Sequence, residues 1–93
     1  MIRPADVPVL PRGVRLWRDR VRDCTVLLGP ERVLMIDPIG EAILTRVDGS
    51  QSITHISATL AETFNAPQEV IEPDVIAYLS DLANKRLVEM RHD

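Results

Sequence analysis

The sequence predicts an α+β domain in which a three-stranded antiparallel sheet is followed by three helices. Two observations support this fold class. Up to residue 36 the apolar residues alternate with polar ones or form short runs rich in β-branched residues, whereas from residue 37 onward they recur every three to four positions. Prolines, glycines and capping residues separate these segments. With 93 residues, of which 45% are hydrophobic, the chain is long enough for one core.

Residues 1–13 are predicted to form an extended, proline-rich lead-in to a single domain that covers residues 14–93. The lead-in contains four residues that disfavour a helix and an interior strand, namely Pro4, Pro8, Pro11 and Gly13. Strands are then predicted over residues 14–18, 24–28 and 33–36, joined as a meander by a polar segment and a Gly-Pro turn.

The third predicted strand is a short, continuous apolar run made of Val33, Leu34, Met35 and Ile36. Such a run is typical of an interior strand covered on both faces. As the last strand of a meander it is also a candidate edge strand, which would accept another extended chain through main-chain hydrogen bonds. The sequence leaves both alternatives open.

Capping residues define the first two helices. Asp37 is the predicted N-cap of helix 1, with Pro38 at its first position, and the helix is predicted to end at Asp48-Gly49. Ser52 is the predicted N-cap of helix 2, which ends before Pro67. Their predicted buried stripes are Ile39, Ala42, Ile43 and Val47 in helix 1 and Ile53, Ile56, Leu60 and Phe64 in helix 2. The turn between them is short, which predicts a helix-turn-helix arrangement.

Helix 3 is predicted over residues 68–86, with a kink or a new start at Pro73 because proline removes one backbone hydrogen bond. Its apolar residues cover an arc of about 180° at 100° per residue, wider than one packing face requires. They are Tyr78, Leu82, Val75, Leu79, Ala83, Ile76 and Leu87. Residues 87–90 are apolar enough for a short final strand or for packing beyond the helix end.

Charge is distributed unevenly along the chain. Residues 1–32 contain seven Arg and four acidic residues, a net charge of +3, whereas residues 33–93 have a net charge of −6. Four of the arginines lie in the predicted first hairpin, namely Arg15, Arg18, Arg20 and Arg22. Arginine suits bidentate contacts with carboxylates, so these residues are candidates for a surface that docks a partner. The alternative is an ordinary solvated face.

No residues form a pattern typical of catalysis, metal binding or cofactor binding. His55 and His92 lack a second metal ligand at suitable spacing, and Cys24 is expected to be a buried structural thiol. One cysteine, no signal peptide and no apolar stretch long enough to cross a bilayer favour a cytoplasmic protein without a membrane partner. The oligomeric state is not indicated.

Three strands, a helix-turn-helix and a third helix form the element order of a winged-helix-like domain, whose common use is the recognition of duplex DNA. Here the would-be recognition helix carries more acidic than basic residues: Glu69, Glu72, Asp74 and Asp81 against Lys85 and Arg86. Acidic residues repel phosphates, and only 3% of the chain is aromatic. A DNA-binding transcriptional regulator is therefore the less favoured alternative, and no nucleic-acid partner is expected.

An ordered set of residues resembles the PqqD family of peptide chaperones in pyrroloquinoline quinone biosynthesis. The set comprises Pro11, Gly13-Val14, Leu16, Arg22, Val26-Leu27-Leu28, Pro30-Glu31, Val33-Leu34, Ile43-Leu44, Asp48-Gly49, Ile56, Leu60, Phe64, Asp74-Val75, Leu79, Leu82 and Leu87-Val88. The resemblance covers about residues 8–90.

The resemblance implies a winged-helix-like fold that binds the ribosomally made precursor peptide PqqA and presents it to the radical S-adenosylmethionine enzyme PqqE. It implies no catalysis and no cofactor in this chain. It also implies that the peptide's leader adds as a strand beside the third strand and lies against helix 3. The binding residues so implied are Val33, Leu34, Met35, Ile36, Val75, Leu79, Leu82, Ala83 and Arg86.

Overall fold

The computed structural model describes residues 2–91 and confirms the predicted α+β architecture. Its elements in chain order are β1 (Val7–Val9), β2 (Arg15–Asp19), β3 (Cys24–Leu28), β4 (Val33–Ile36), α1 (Pro38–Leu44), α2 (Ile53–Thr63), α3 (Gln68–Asn84) and β5 (Glu89–Arg91). Strands β2, β3 and β4 form an antiparallel sheet in that order, so β4 lies at one edge of the sheet.

A second sheet pairs the two ends of the described chain. Strand β1 lies antiparallel to β5, with Val7 opposite Arg91. The segment predicted as an extended lead-in therefore contains a strand, and the backbone oxygen of Asp6 accepts a hydrogen bond from the Ile53 amide at 3.0 Å. This contact fixes the N-terminal segment against the start of α2. Strand β5 is the short final strand that the sequence left as one of two alternatives.

Side-chain caps start α1 and α2 at the predicted residues. The Asp37 carboxylate accepts a hydrogen bond from the Gly40 amide at 2.7 Å, and the Ser52 hydroxyl accepts one from the His55 amide at 3.1 Å. Helix α1 is shorter than predicted: it ends at Leu44 rather than near Gly49.

Helix α3 is continuous through Pro73, so the predicted new start at this proline is wrong. Pro73 is the sixth residue of the helix, and its missing N–H removes one bond close to the first turn. The amides of Val70 and Ile71 both bond to the Pro67 carbonyl, which keeps that first turn closed. None of the helices in residues 2–91 has the length and apolarity needed to cross a membrane.

The core is aliphatic and lies between the three-stranded sheet and the helices. Its most buried side chains are Leu27, Leu44, Ile53, Ile56, Leu60, Val75, Leu79, Leu87 and Val88. Two residues of the predicted buried stripes, Ile39 and Phe64, are instead exposed. Periodicity places both residues on the apolar face of their helix, but their side chains are not covered by another element.

Gly40 marks the tightest packing between α1 and α3. A methyl group on its Cα would overlap the Tyr78 hydroxyl and would lie 2.9 Å from a Tyr78 ring carbon and 3.0 Å from the Ile36 Cγ2. Residues from α1, α3 and β4 therefore meet at a position where only glycine fits.

The substitution Gly40→Ala is expected to lower the free energy of unfolding by about 1–3 kcal/mol, because the added methyl group overpacks this contact. At an unobstructed helix position the same change would raise the free energy of unfolding by about 1 kcal/mol, because alanine favours a helix more than glycine does. Overpacking and helix propensity therefore predict changes of opposite sign. Urea denaturation measures the difference. In a Tyr78→Phe background, which lacks the hydroxyl, part of the loss should be recovered; an equal loss in both backgrounds would contradict the assigned contact.

Candidate functional site

The exposed edge of β4 presents backbone groups at alternate residues. The Gly29 amide donates to the Arg32 carbonyl at 2.9 Å, which sets the hydrogen-bonding phase of the β3–β4 hairpin. Because antiparallel pairs alternate between bonded and non-bonded, Leu34 and Ile36 direct their N–H and C=O groups toward β3. Val33 and Met35 therefore direct theirs away from the sheet.

The two edges of this sheet differ in charge. Strand β2 carries Arg15, Arg18 and Asp19, and charged side chains on an edge strand disfavour pairing with another chain. Strand β4 carries no charged residue, and Val33 and Met35 are 60% and 73% exposed. The β4 edge is thus the better of the two for strand addition.

Helix α3 supplies the wall that faces this edge. At 100° per residue, Tyr78, Leu82 and Lys85 lie on one stripe of the helix. Tyr78 packs against Gly40 close to Ile36, at the end of β4. At the start of β4, Arg32, Lys85 and Arg86 line a cavity of about 280 Å³. The peptide groove, as we call it, runs between β4 and this stripe from Tyr78 to Lys85.

The α3 residues predicted to contact the peptide differ in their accessibility. Leu79 is fully buried, and Val75 and Leu82 are also core residues, so they support the wall from behind. Ala83 is half-buried and turned about 100° from Leu82, whereas Arg86 is exposed at the groove end. Their contact with a peptide stays a prediction.

Sequence analysis did not select Tyr78 or Lys85 as binding residues. The signal that could have found them is the spacing of residues 78, 82 and 85, which places them on one stripe. Burial raises the pKa of the Tyr78 phenol, and the negative charges of Asp37 and Asp81 raise it further. Asp37 therefore makes the Tyr78 end of the groove negative, since Asp81 is paired with Lys85 at 2.6 Å. At the other end Arg32 and Arg86 outnumber Glu31, so that end is positive.

The four arginines of the β2–β3 hairpin have different surroundings. Arg15 lies 5.2 Å from the centre of the Trp17 ring, a cation–π distance. Arg18 pairs with Asp23 at 2.6 Å and donates to the Thr25 hydroxyl at 3.2 Å, and Arg22 lies 3.9 Å from Asp19. Within residues 2–91, Arg20 has no ion-pair partner.

The remaining candidates for chemistry are dispersed. His55 is exposed on α2, Cys24 is half-buried rather than buried as predicted, and His92 lies outside the described residues. Within residues 2–91, no three His, Cys, Asp or Glu side chains come close enough to hold a metal ion.

Titration of Tyr78 tests the electrostatics of the groove. The chain has one tyrosine, so tyrosinate absorbance reports this residue alone, and its midpoint is expected above pH 10.0. Because the folded pKa is raised, the stabilisation by the neutral phenol is complete below pH 10.0 and is lost as the pH rises. Asp37→Asn, which keeps a capping side chain, should lower the midpoint. Asp48→Asn is the control, and an equal effect of both variants would contradict the assignment.

Comparisons with known proteins agree on one family. Residues 24–88 match the family model described as "Coenzyme PQQ synthesis protein D (PqqD)". A "PqqA binding protein" from Rhizobium meliloti is 42% identical over 90 residues, which cover 97% of this chain and 92% of that protein. A "Bifunctional coenzyme PQQ synthesis protein C/D" from Methylorubrum extorquens is 45% identical over 85 residues. The match covers 91% of this chain but 23% of that protein, so the chain spans about a quarter of its length.

The fold also matches a solved structure. The solution NMR structure of the PqqD truncation of Methylobacterium extorquens PqqCD, described as a stand-alone recognition element for ribosomally synthesised, modified peptides, is 43% identical. It superposes with a TM-score of 0.83 over 96% of this chain and 95% of that one. A family model that covers most of the chain, relatives above 40% identity and a shared fold lead to one conclusion: the chain belongs to the PqqD family.

Proposed function

We propose that this chain is a non-catalytic peptide chaperone of pyrroloquinoline quinone biosynthesis, which binds the precursor peptide PqqA by strand addition and presents it to the radical S-adenosylmethionine enzyme PqqE. The observation that carries the proposal is β4, an uncharged edge strand that lies beside a helix stripe. Membership of the PqqD family and the name of the Rhizobium meliloti relative support PqqA as the peptide. The proposed place of action is the cytoplasm, where ribosomal peptides are made.

Backbone pairing alone supplies only part of the proposed affinity. The outward groups of Val33 and Met35 offer two N–H donors and two C=O acceptors, and each hydrogen bond contributes about 0.5–1.5 kcal/mol net. Successive side chains of an added strand point to opposite faces of the sheet. Every second peptide side chain therefore enters the groove against Tyr78, where burial of apolar surface adds affinity and the shape of the groove adds specificity.

The outer face of the sheet is a separate apolar surface that suits the enzyme. The strand register places Trp17, Val26 and Met35 side by side on that face, and Trp17 is half-exposed. Arg15 and Arg20 lie beside it, so an acidic, partly apolar surface of PqqE is the proposed complement. This face is turned away from the helices, which leaves the groove accessible.

The β4 edge is tested by a pair of substitutions at one residue. Met35→Pro removes an outward-facing N–H while leaving the β3–β4 hydrogen bonds in place, and proline is tolerated at such edge positions. We expect at least a tenfold loss of PqqA affinity by calorimetry, about 1.4 kcal/mol. Met35→Ala, which keeps the N–H, should stay within threefold. Normal PqqA binding by a folded Met35→Pro variant would contradict strand addition at β4.

The docking face is tested by reversing a charge that has no ion-pair partner among the described residues. Arg20→Glu should weaken association with PqqE at least threefold at about physiological ionic strength, and added salt should reduce the difference. PqqA affinity should remain unchanged. Arg18 is a poorer choice, because its bonds to Asp23 and Thr25 hold the hairpin.

The matched control for Arg20 is Arg12→Glu, an exposed arginine that precedes the opposite end of β2 and likewise has no ion-pair partner within residues 2–91. Association with PqqE is measured by surface binding of the folded variants at two salt concentrations. An equal effect of the two reversals would show that net charge alone controls association. An unchanged Arg20→Glu variant would assign the hairpin to ordinary solvated surface.

A further inference from the structure

We propose that the peptide groove continues beyond the end of β4 into an apolar cavity between the three helices, where it holds one large apolar side chain of the bound peptide beside a basic group. This inference rests on the proposed function, because the same peptide would occupy both parts of the groove. The cavity adds a subsite beyond the part of the groove that β4 and residues 78–85 of α3 form.

The cavity has a buried apolar floor and an exposed apolar rim. Its volume is about 310 Å³, close to the lower limit of about 300 Å³ for ligand pockets, and it is lined by Ile39, Ile43, Leu60, Phe64, Ile71, Asp74 and Val75. On the rim, Ile39 is 62% exposed and Phe64 is 47% exposed. Large apolar side chains that surround an open hollow leave apolar surface in water, and a peptide side chain of one residue would cover it.

One stripe of α3 connects the cavity to the groove. At 100° per residue, its stripe residues fall within an arc of about 100°. They are Ile71, Asp74, Val75, Tyr78, Leu82 and Lys85. Residues 78–85 extend about 10 Å along the helix, comparable with the length of about 13 Å expected for the four residues of β4. Residues 71–78 add about another 10 Å, so some three further residues of an extended peptide would reach the cavity.

The first turn of α1 places the cavity next to the strand. Ile39 follows Ile36 by three residues, with the capping Asp37 between them. Tyr78, which packs on Gly40, lies at the junction between the groove and the cavity. A peptide that leaves the β4 edge at Ile36 therefore passes Tyr78 and meets Ile39 next.

Charge gives the extended groove a direction. Asp74 is the charged residue of the cavity lining, and it has no ion-pair partner within residues 2–91. Arg32 and Arg86 lie at the opposite end of the groove, where they outnumber Glu31. A peptide with its basic group at the cavity and an acidic residue at the other end is complementary, whereas the reversed peptide brings like charges together.

The test compares two exposed aliphatic residues. Ile39→Ser changes the cavity rim, and Val70→Ser changes a residue that is 58% exposed on α3 outside the lining. Calorimetry with PqqA is expected to show at least a fivefold loss of affinity for Ile39→Ser and less than twofold for Val70→Ser, with both variants folded by circular dichroism. Equal effects, or no effect of Ile39→Ser, would overturn the subsite.

NMR separates failure of the subsite from failure of the proposed function. Protein labelled at isoleucine methyl groups and backbone amides is titrated with PqqA, and the Ile39 and Ile71 methyl signals are expected to shift together with the amides of Val33 and Met35. Amide shifts without methyl shifts would overturn the subsite and leave strand addition standing. The absence of both would overturn the proposed function itself.

Peptide truncation and charge reversal provide the last two readouts. Truncation of PqqA at the end that occupies the cavity should abolish the methyl shifts of Ile39 and Ile71 and keep the amide shifts of Val33 and Met35. Truncation at the opposite end should keep the methyl shifts. Asp74→Lys should weaken the binding of full-length PqqA more than the binding of the peptide that lacks its cavity end. Equal weakening of both peptides would overturn the assignment of the basic group to the cavity.

Discussion

The geometry of the groove depends on the packing of Tyr78 against Gly40. Because Gly40 has no side chain, the phenol lies directly on the first turn of α1 and near Ile36, so three elements meet at one point. This contact sets how far α3 stands from β4, and hence the width available to an added strand. It also partly buries the phenol beside Asp37, which is why the Tyr78 pKa is raised.

A second set of contacts connects the sheet to α1. The buried Thr25 hydroxyl donates to the Glu41 carboxylate at 2.6 Å and accepts a hydrogen bond from Arg18 at 3.2 Å. Since Arg18 also pairs with Asp23, the hairpin, β3 and α1 are joined through side chains. The proposed docking face and the peptide groove are therefore presented by one joined framework, although they lie on different sides of the sheet.

Local chemical signals explain which parts of this arrangement the sequence could predict. The capping side chains Asp37 and Ser52 act within three residues of their own position, and strands β3 and β4 coincide with short apolar runs, so these were predicted correctly. The β1–β5 pairing joins three-residue strands about 80 residues apart, and no local pattern specifies it.

Periodicity identifies a face but not what covers it, which explains the errors at the candidate site. Ile39 and Phe64 share stripes with core residues, yet the structure leaves them exposed at the cavity rim. On α3 the apolar arc was wide enough for both a core side and a groove side, so spacing could not separate Leu79 from Tyr78. That separation requires the position of α1, which depends on Gly40.

Strand addition at β4 has a consequence for how the enzyme would meet its substrate. A peptide paired with Val33 and Met35 becomes the fourth strand of the sheet, and its alternate side chains point to the same outer face as Trp17 and Met35. An enzyme docked on that face would contact the chaperone and the peptide together, while the inward side chains stay held against α3. The proposed mode thus presents one set of peptide side chains to PqqE and uses the other set for retention.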